Sequence, residues 1–89
     1  MAIQDIRPQA PHHLLLIPKR HVRSVAEAGE GDAAFLGRLL LGAASIARRL
    51  GESEKGFRIV VNTGENGGQT VDHLHVHLLA GRALGWPPG

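Results

Sequence analysis

Three histidines in strict alternation, His73-Leu-His75-Val-His77, are the residues of this chain best suited to chemistry. Successive side chains of an extended strand point to opposite faces, so the spacing predicts a row of imidazoles with Val76 and Leu78 on the reverse face. At a rise of about 3.3 Å per residue, neighbours in the row would lie roughly 6.5 Å apart and the outer pair roughly 13 Å apart. Three readings compete. A zinc site needs nitrogens about 2 Å from one ion, which a straight strand does not supply from all three positions. With no cysteine to complete a set, no metal is expected. Hydrogen-bonded polar residues on a half-exposed sheet face would explain one histidine better than three. The remaining reading is a nucleophilic or acid-base constellation, with the middle imidazole, His75, held by its neighbours.

A neutral imidazole is a competent nucleophile near pH 7, because its unperturbed pKa of about 6.5 leaves a lone pair on one nitrogen. The other nitrogen must keep its proton, so an acceptor has to face it, and a backbone carbonyl in the adjoining loop would serve. That loop, Asn62-Thr-Gly-Glu-Asn-Gly-Gly-Gln-Thr70, is rich in glycine and can turn N–H groups toward a phosphate. Loop and row together point to phosphate chemistry.

The elements that must position these residues are few. Gly56 to Val61 reads as a β-branched strand, and the row itself as a strand from Val71 to Leu79, which makes an antiparallel hairpin with a wide turn. His13 to Ile17 is an apolar run closed by Pro18, consistent with a strand buried on both faces. His12 and His13 lack a motif partner and are expected at the surface or a strand end. Residues 24–30 suggest one helical turn and a loop. From Ala33 to Leu50 apolar residues recur at helical spacing, with Asp32 as N-cap and Gly51 just past the end. Leu41 and Gly42 widen the apolar arc beyond what one small sheet needs, which hints at a subunit interface. The fold class is therefore α+β: an antiparallel sheet of three or four strands with one long helix, paired about a two-fold axis.

At 89 residues there is room for one domain. A net charge of +2 without a basic stripe suits a small anionic ligand better than nucleic acid. No apolar run approaches the 18 or so residues of a membrane span and no signal peptide is evident, so a cytoplasmic location is the default.

The His73–His77 run followed by Leu-Leu resembles the signature of the histidine-triad (HIT) nucleotide-binding proteins. Asp5-Ile-x-Pro-Gln-Ala-Pro11, His13-Leu-Leu-Leu-Ile-Pro-Lys-Arg-His21, Val60-Val-Asn-Thr-Gly64, Gly67-Gly-Gln-Thr-Val71 and Trp86-Pro-Pro-Gly89 all resemble its Hint branch, purine nucleoside phosphoramidases. The resemblance implies that His75 attacks the α-phosphorus of a nucleoside 5′-phosphoramidate or related mononucleotide ester, giving a nucleotidyl-histidine that water hydrolyses. It implies that Asp5 binds the ribose hydroxyls with Ile6 packing nearby. Asn62 would contact phosphate or ribose, and the Gly68 carbonyl would hold the second nitrogen of His75. Donors from His77 and the backbone around Gln69 and Thr70 would meet the phosphate oxygens. Thr70, where much of the branch has serine, would orient or protonate the leaving amine. His73 would buttress the strand, and His21 would support the site. His77 stands where relatives that transfer nucleotidyl groups carry glutamine, which favours hydrolysis. The substrate implied is an AMP- or GMP-like purine nucleotide, with no cofactor, and the assembly a homodimer whose tail reaches its partner. The alternatives are a low-turnover nucleotide-binding or partner-interaction module and a dinucleoside polyphosphate hydrolase. Family members carry a helix and strands ahead of the Asp-Ile-x-Pro segment. Here Met1-Ala-Ile-Gln4 stands there, with Ile3 where an aromatic is common, so residues 1–89 are expected to form a single shortened domain.

Overall fold

The computed structural model describes residues 1–88; Gly89, the last residue of the Trp86 tail, lies outside the described residues. Four strands, β1 (Ala2–Gln4), β2 (His12–Leu16), β3 (Phe57–Val60) and β4 (Val76–Ala80), form one antiparallel sheet in the order β1-β2-β4-β3. A single helix, α1 (Ala33–Arg49), covers one face. Two short 3-10 turns, Val25–Glu27 and Glu30–Asp32, precede it.

The helix packs through small residues. Ala43 and Ala47 are fully buried against Leu16, Val76 and Leu78, and Leu14, Leu39, Ile46, Phe57, Ile59 and Val61 close around them. Close packing of this kind makes each methylene count. A side chain at Gly42 would already touch Leu16 at 3.6 Å, so the helix lies close on the sheet there. Its end has a definite cause. Gly51 takes φ +77, its N–H donates to the Arg48 carbonyl at 3.0 Å, and Glu52 N–H donates to Ala47 at 3.0 Å. These are the two bonds that satisfy the last carbonyls of a helix ended by a left-handed glycine.

Asp32 precedes the helix as expected but does not cap it with its side chain. Its carboxylate accepts from Gly29 N–H at 2.9 Å and pairs with Arg20 at 2.5 Å, while that guanidinium lies 5.3 Å from the centre of the Phe35 ring. Asp32 thereby ties the segment after β2 to the start of α1.

The expected strand from Val71 to Leu79 is shorter than its alternation implies. β4 begins only at Val76, and residues 71–75 are bends and irregular backbone. Both neighbours leave at that level: Pro18 lacks a donor N–H just past β2, and Asn62 opens the glycine loop just past β3. Leu74 N–H instead donates to the Val22 carbonyl at 2.7 Å. The alternation survives in burial. Leu74, Val76 and Leu78 are buried, whereas His73, His75 and His77 are half-buried. The helix therefore covers the apolar set and leaves the histidines on the open face.

Candidate active site

The hydrogen-bond partners around each ring fix which nitrogen carries its proton. His75 Nδ1 lies 2.8 Å from the carbonyl of His73, so Nδ1–H donates and Nε2 is left with its lone pair. The expected acceptor was Gly68; that carbonyl does not serve, because the backbone bend at residues 71–75 places the His73 carbonyl there first. His73 Nε2–H donates to the Pro18 carbonyl at 3.1 Å, which pins the motif to the end of β2. His21, itself exposed, meets the His73 ring edge-on with centroids 4.8 Å apart.

His77 has a partner that sequence reasoning missed. His13, expected at the surface or a strand end, is only 7% exposed, and its Nε2 lies 2.9 Å from His77 Nδ1. The register explains this: His13 pairs with Leu79 and Leu15 with His77, so the two imidazoles lie diagonally on one face. Gln9 N–H donates to His13 Nδ1 at 3.0 Å, which leaves the His13 proton on Nε2. That proton points to His77 Nδ1, and His77 must carry its own proton on Nε2. Neighbouring rings with centroids 5.1 Å apart are thus set in opposite senses, His75 with a bare Nε2 and His77 with Nε2–H. Burial, then the adjacent His75 and His13, pushes the His77 pKa below 6.5, against a smaller opposing effect of Asp5. Its ring is neutral at neutral pH.

Asp5 approaches the same nitrogen of His13 that faces His77. Its Oδ1 accepts from Arg7 N–H at 2.8 Å and its Oδ2 lies 3.4 Å from His13 Nε2. Asp5, His13 and His77 have potential ligand atoms within 4.8 Å of one another. A cation there would need the lone pair of His13 Nε2, moving that proton to Nδ1, where Gln9 N–H already points. The backbone wires this trio for a hydrogen bond. Ile6, beside Asp5, is 93% exposed.

The glycine loop is braced from inside. Asn62 Nδ2 donates to the Gly67 carbonyl at 2.6 Å, and Gly68, at φ +79, donates to Glu65 at 3.0 Å. Gln69 takes up more bonds than any neighbour. Its N–H donates to Gly64, its Oε1 accepts from Gly64 N–H at 2.9 Å, and its Nε2 donates to the carbonyls of Arg23 and Val71 at 2.7 and 3.0 Å. The side chains of Asn62 and Gln69 therefore shape the loop. Exposed Thr70 has no hydrogen-bond partner for its N–H or hydroxyl among the described residues, so both are available as donors. A shallow apolar recess bounded by Leu15, Ile17, Val71, His73 and His75 flanks the row.

The chain matches the HIT domain family over residues 1–84 and belongs to it. It is 53% identical over 89 residues to an uncharacterized HIT-like protein of Synechococcus elongatus, covering 100% of this chain and 77% of that protein. The crystal structure of a HIT family hydrolase from Legionella pneumophila superposes with a TM-score of 0.97 at 48% identity, covering 99% of this chain and 79% of that one. A histidine triad nucleotide-binding protein from Candida albicans gives a TM-score of 0.73 at 27% identity, covering 97% and 66%. Strand order, helix and histidine motif thus belong to a HIT hydrolase-like fold.

Proposed function

We propose that this protein is a nucleotide hydrolase of the Hint type, which cleaves purine nucleoside 5′-phosphoramidates or related mononucleotide esters through a nucleotidyl-imidazole on His75. The observation that carries the reading is the opposite setting of two adjacent rings, a lone pair on His75 Nε2 beside a proton on His77 Nε2. One attacks phosphorus; the other stabilises charge on a non-bridging oxygen without surrendering its proton.

Attack forms the bond from His75 Nε2 to phosphorus as the bond to the leaving amine breaks. The amine departs with its electron pair and takes a proton from water ordered by the Thr70 hydroxyl. The modified ring becomes an imidazolium whose Nδ1–H stays on the His73 carbonyl, so the growing positive charge faces an acceptor. Water then attacks phosphorus as the bond to His75 Nε2 breaks, the neutral imidazole leaves, and the attacking water gives up a proton that replaces the one solvent lent to the amine. The ribose hydroxyls lie on Asp5, with the exposed Ile6 against the base. Two copies pair through the apolar groove lined by Val25, Leu36, Leu39 and Leu40, beside which Leu41 is 70% exposed. A cytoplasmic location goes with this substrate class; no described helix is long and apolar enough to cross a membrane.

Incubation with adenosine 5′-phosphoramidate, followed by alkaline quench, tests the scheme. AMP release and a transient label on the protein are expected for the wild type and neither for His75→Ala. Wild-type release no faster than the variant's would leave a binding module.

A further inference from the structure

We propose that Asp5 governs turnover as well as binding, because it stands ready to take the one proton that sets His77. This inference rests on the assignment of Asp5 to the ribose. His13 accepts from Gln9 N–H at Nδ1, so it has a single proton, on Nε2. Two acceptors lie within reach of that nitrogen: His77 Nδ1 at 2.9 Å and Asp5 Oδ2 at 3.4 Å. The carboxylate is the stronger acceptor, since charge-assisted hydrogen bonds exceed neutral ones. It is also held in place, with Oδ1 on Arg7 N–H at 2.8 Å. A half-ångström swing of the His13 ring therefore moves its proton from His77 to Asp5. His77 Nδ1 then loses its donor, and nothing keeps the His77 proton on Nε2.

A ribose diol that donates to Asp5 Oδ2 occupies the competing acceptor. The His13 proton then stays on His77, and a bound ribonucleoside removes the competing arrangement in which the donor facing the phosphate is released. The 2′ and 3′ hydroxyls, remote from the reacting phosphorus, thus contribute to kcat as well as to KM.

The test compares adenosine 5′-phosphoramidate with its 2′,3′-dideoxy counterpart on the wild type and on Asp5→Asn. Asparagine retains an acceptor for Arg7 N–H but offers His13 an amide NH2 in place of the carboxylate oxygen. On the wild type, the dideoxy substrate is expected to show a raised KM and a kcat lowered about three- to tenfold. On Asp5→Asn the kcat difference disappears, because kcat on the dideoxy substrate rises. The 15N shifts of His77, measured on the wild type alone, report the same event independently of the variant. They should move toward the Nε2–H form on saturation with AMP and stay unmoved with 2′,3′-dideoxy-AMP. Unequal affinities for the two ligands with an unmoved His77 signal and equal kcat would overturn the coupling while leaving Asp5 on the ribose. Equal affinities would remove Asp5 from the ribose, and the proposal with it.

Discussion

Replacing His13 by leucine removes the side chain that holds His77 in its donating form while filling the buried site with a group of comparable bulk. In the native arrangement His13 is 7% exposed, and its Nε2 lies 2.9 Å from His77 Nδ1. A half-buried polar atom left without its partner costs roughly 1–3 kcal/mol. That loss falls on the transition state, where negative charge on the phosphate oxygen makes the His77 donation strongest. Converted at about 1.36 kcal/mol per tenfold, kcat should drop roughly five- to 150-fold. AMP contacts His77 in the ground state far less strongly, so its dissociation constant, measured by titration calorimetry, should move by no more than about threefold. Steady-state assays with adenosine 5′-phosphoramidate give kcat, and circular dichroism checks that the variant is folded. The His12→Ala variant is the control, since the adjacent side chain lies on the other face of β2. A His13→Leu enzyme with native kcat would refute the tautomer argument, because His77 would then need no donor behind it.

Acidification offers a second measurement. The folded state holds the His77 pKa below 6.5 through burial and its histidine neighbours, so on acidification the unfolded chain takes up a proton before the folded one. Stability should therefore be complete above about pH 6.5 and fall as the pH drops toward the depressed folded value. Urea midpoints at descending pH should show this slope, and it should flatten in His77→Gln; an equal slope in both proteins would contradict it. Gly67→Ala places a methyl against the backbone of Thr63, 2.9 Å from its nitrogen and nearer still to its carbonyl oxygen. The loop must rearrange, so AMP affinity should fall about tenfold or more, measurable by calorimetry, with a native affinity as the contrary result. Leu40→Glu sets a charge in the apolar groove. Light scattering should report a dimer for the wild type and a monomer for the variant, and a monomeric wild type would count against pairing.

Periodicity carried most of the fold. The helix boundaries follow from apolar spacing and from Gly51, whose left-handed backbone no side chain favours. Alternation from Leu74 to Leu78 found the buried and open faces correctly, yet overstated the strand, because hydrogen-bond partners and not side-chain patterns end a ladder. The triad was legible because its members are two residues apart. His13 was not, since its partner lies 64 positions away and only the register of β2 on β4 brings them together. Gln69 could be placed at the site by resemblance, but its bonds to the Arg23 carbonyl and within the loop depend on tertiary geometry. The acceptor for His75 turned out to be local, two residues back along the chain, where a bend invisible to pattern reading aims a carbonyl inward.

Three carbonyls of residues 18–24 hold the motif: that of Pro18 accepts from His73 Nε2–H, that of Val22 from the Leu74 amide, and that of Arg23 from Gln69 Nε2. Since these are main-chain oxygens, the hold depends on the backbone path, which the Arg20–Asp32 pair helps to fix. This stretch is a splint for the histidine run, and a one-residue insertion in it would throw the histidines out of line while each of them remained in the sequence. Evolution, or an engineer, could therefore disable or retune the proposed site without altering its signature.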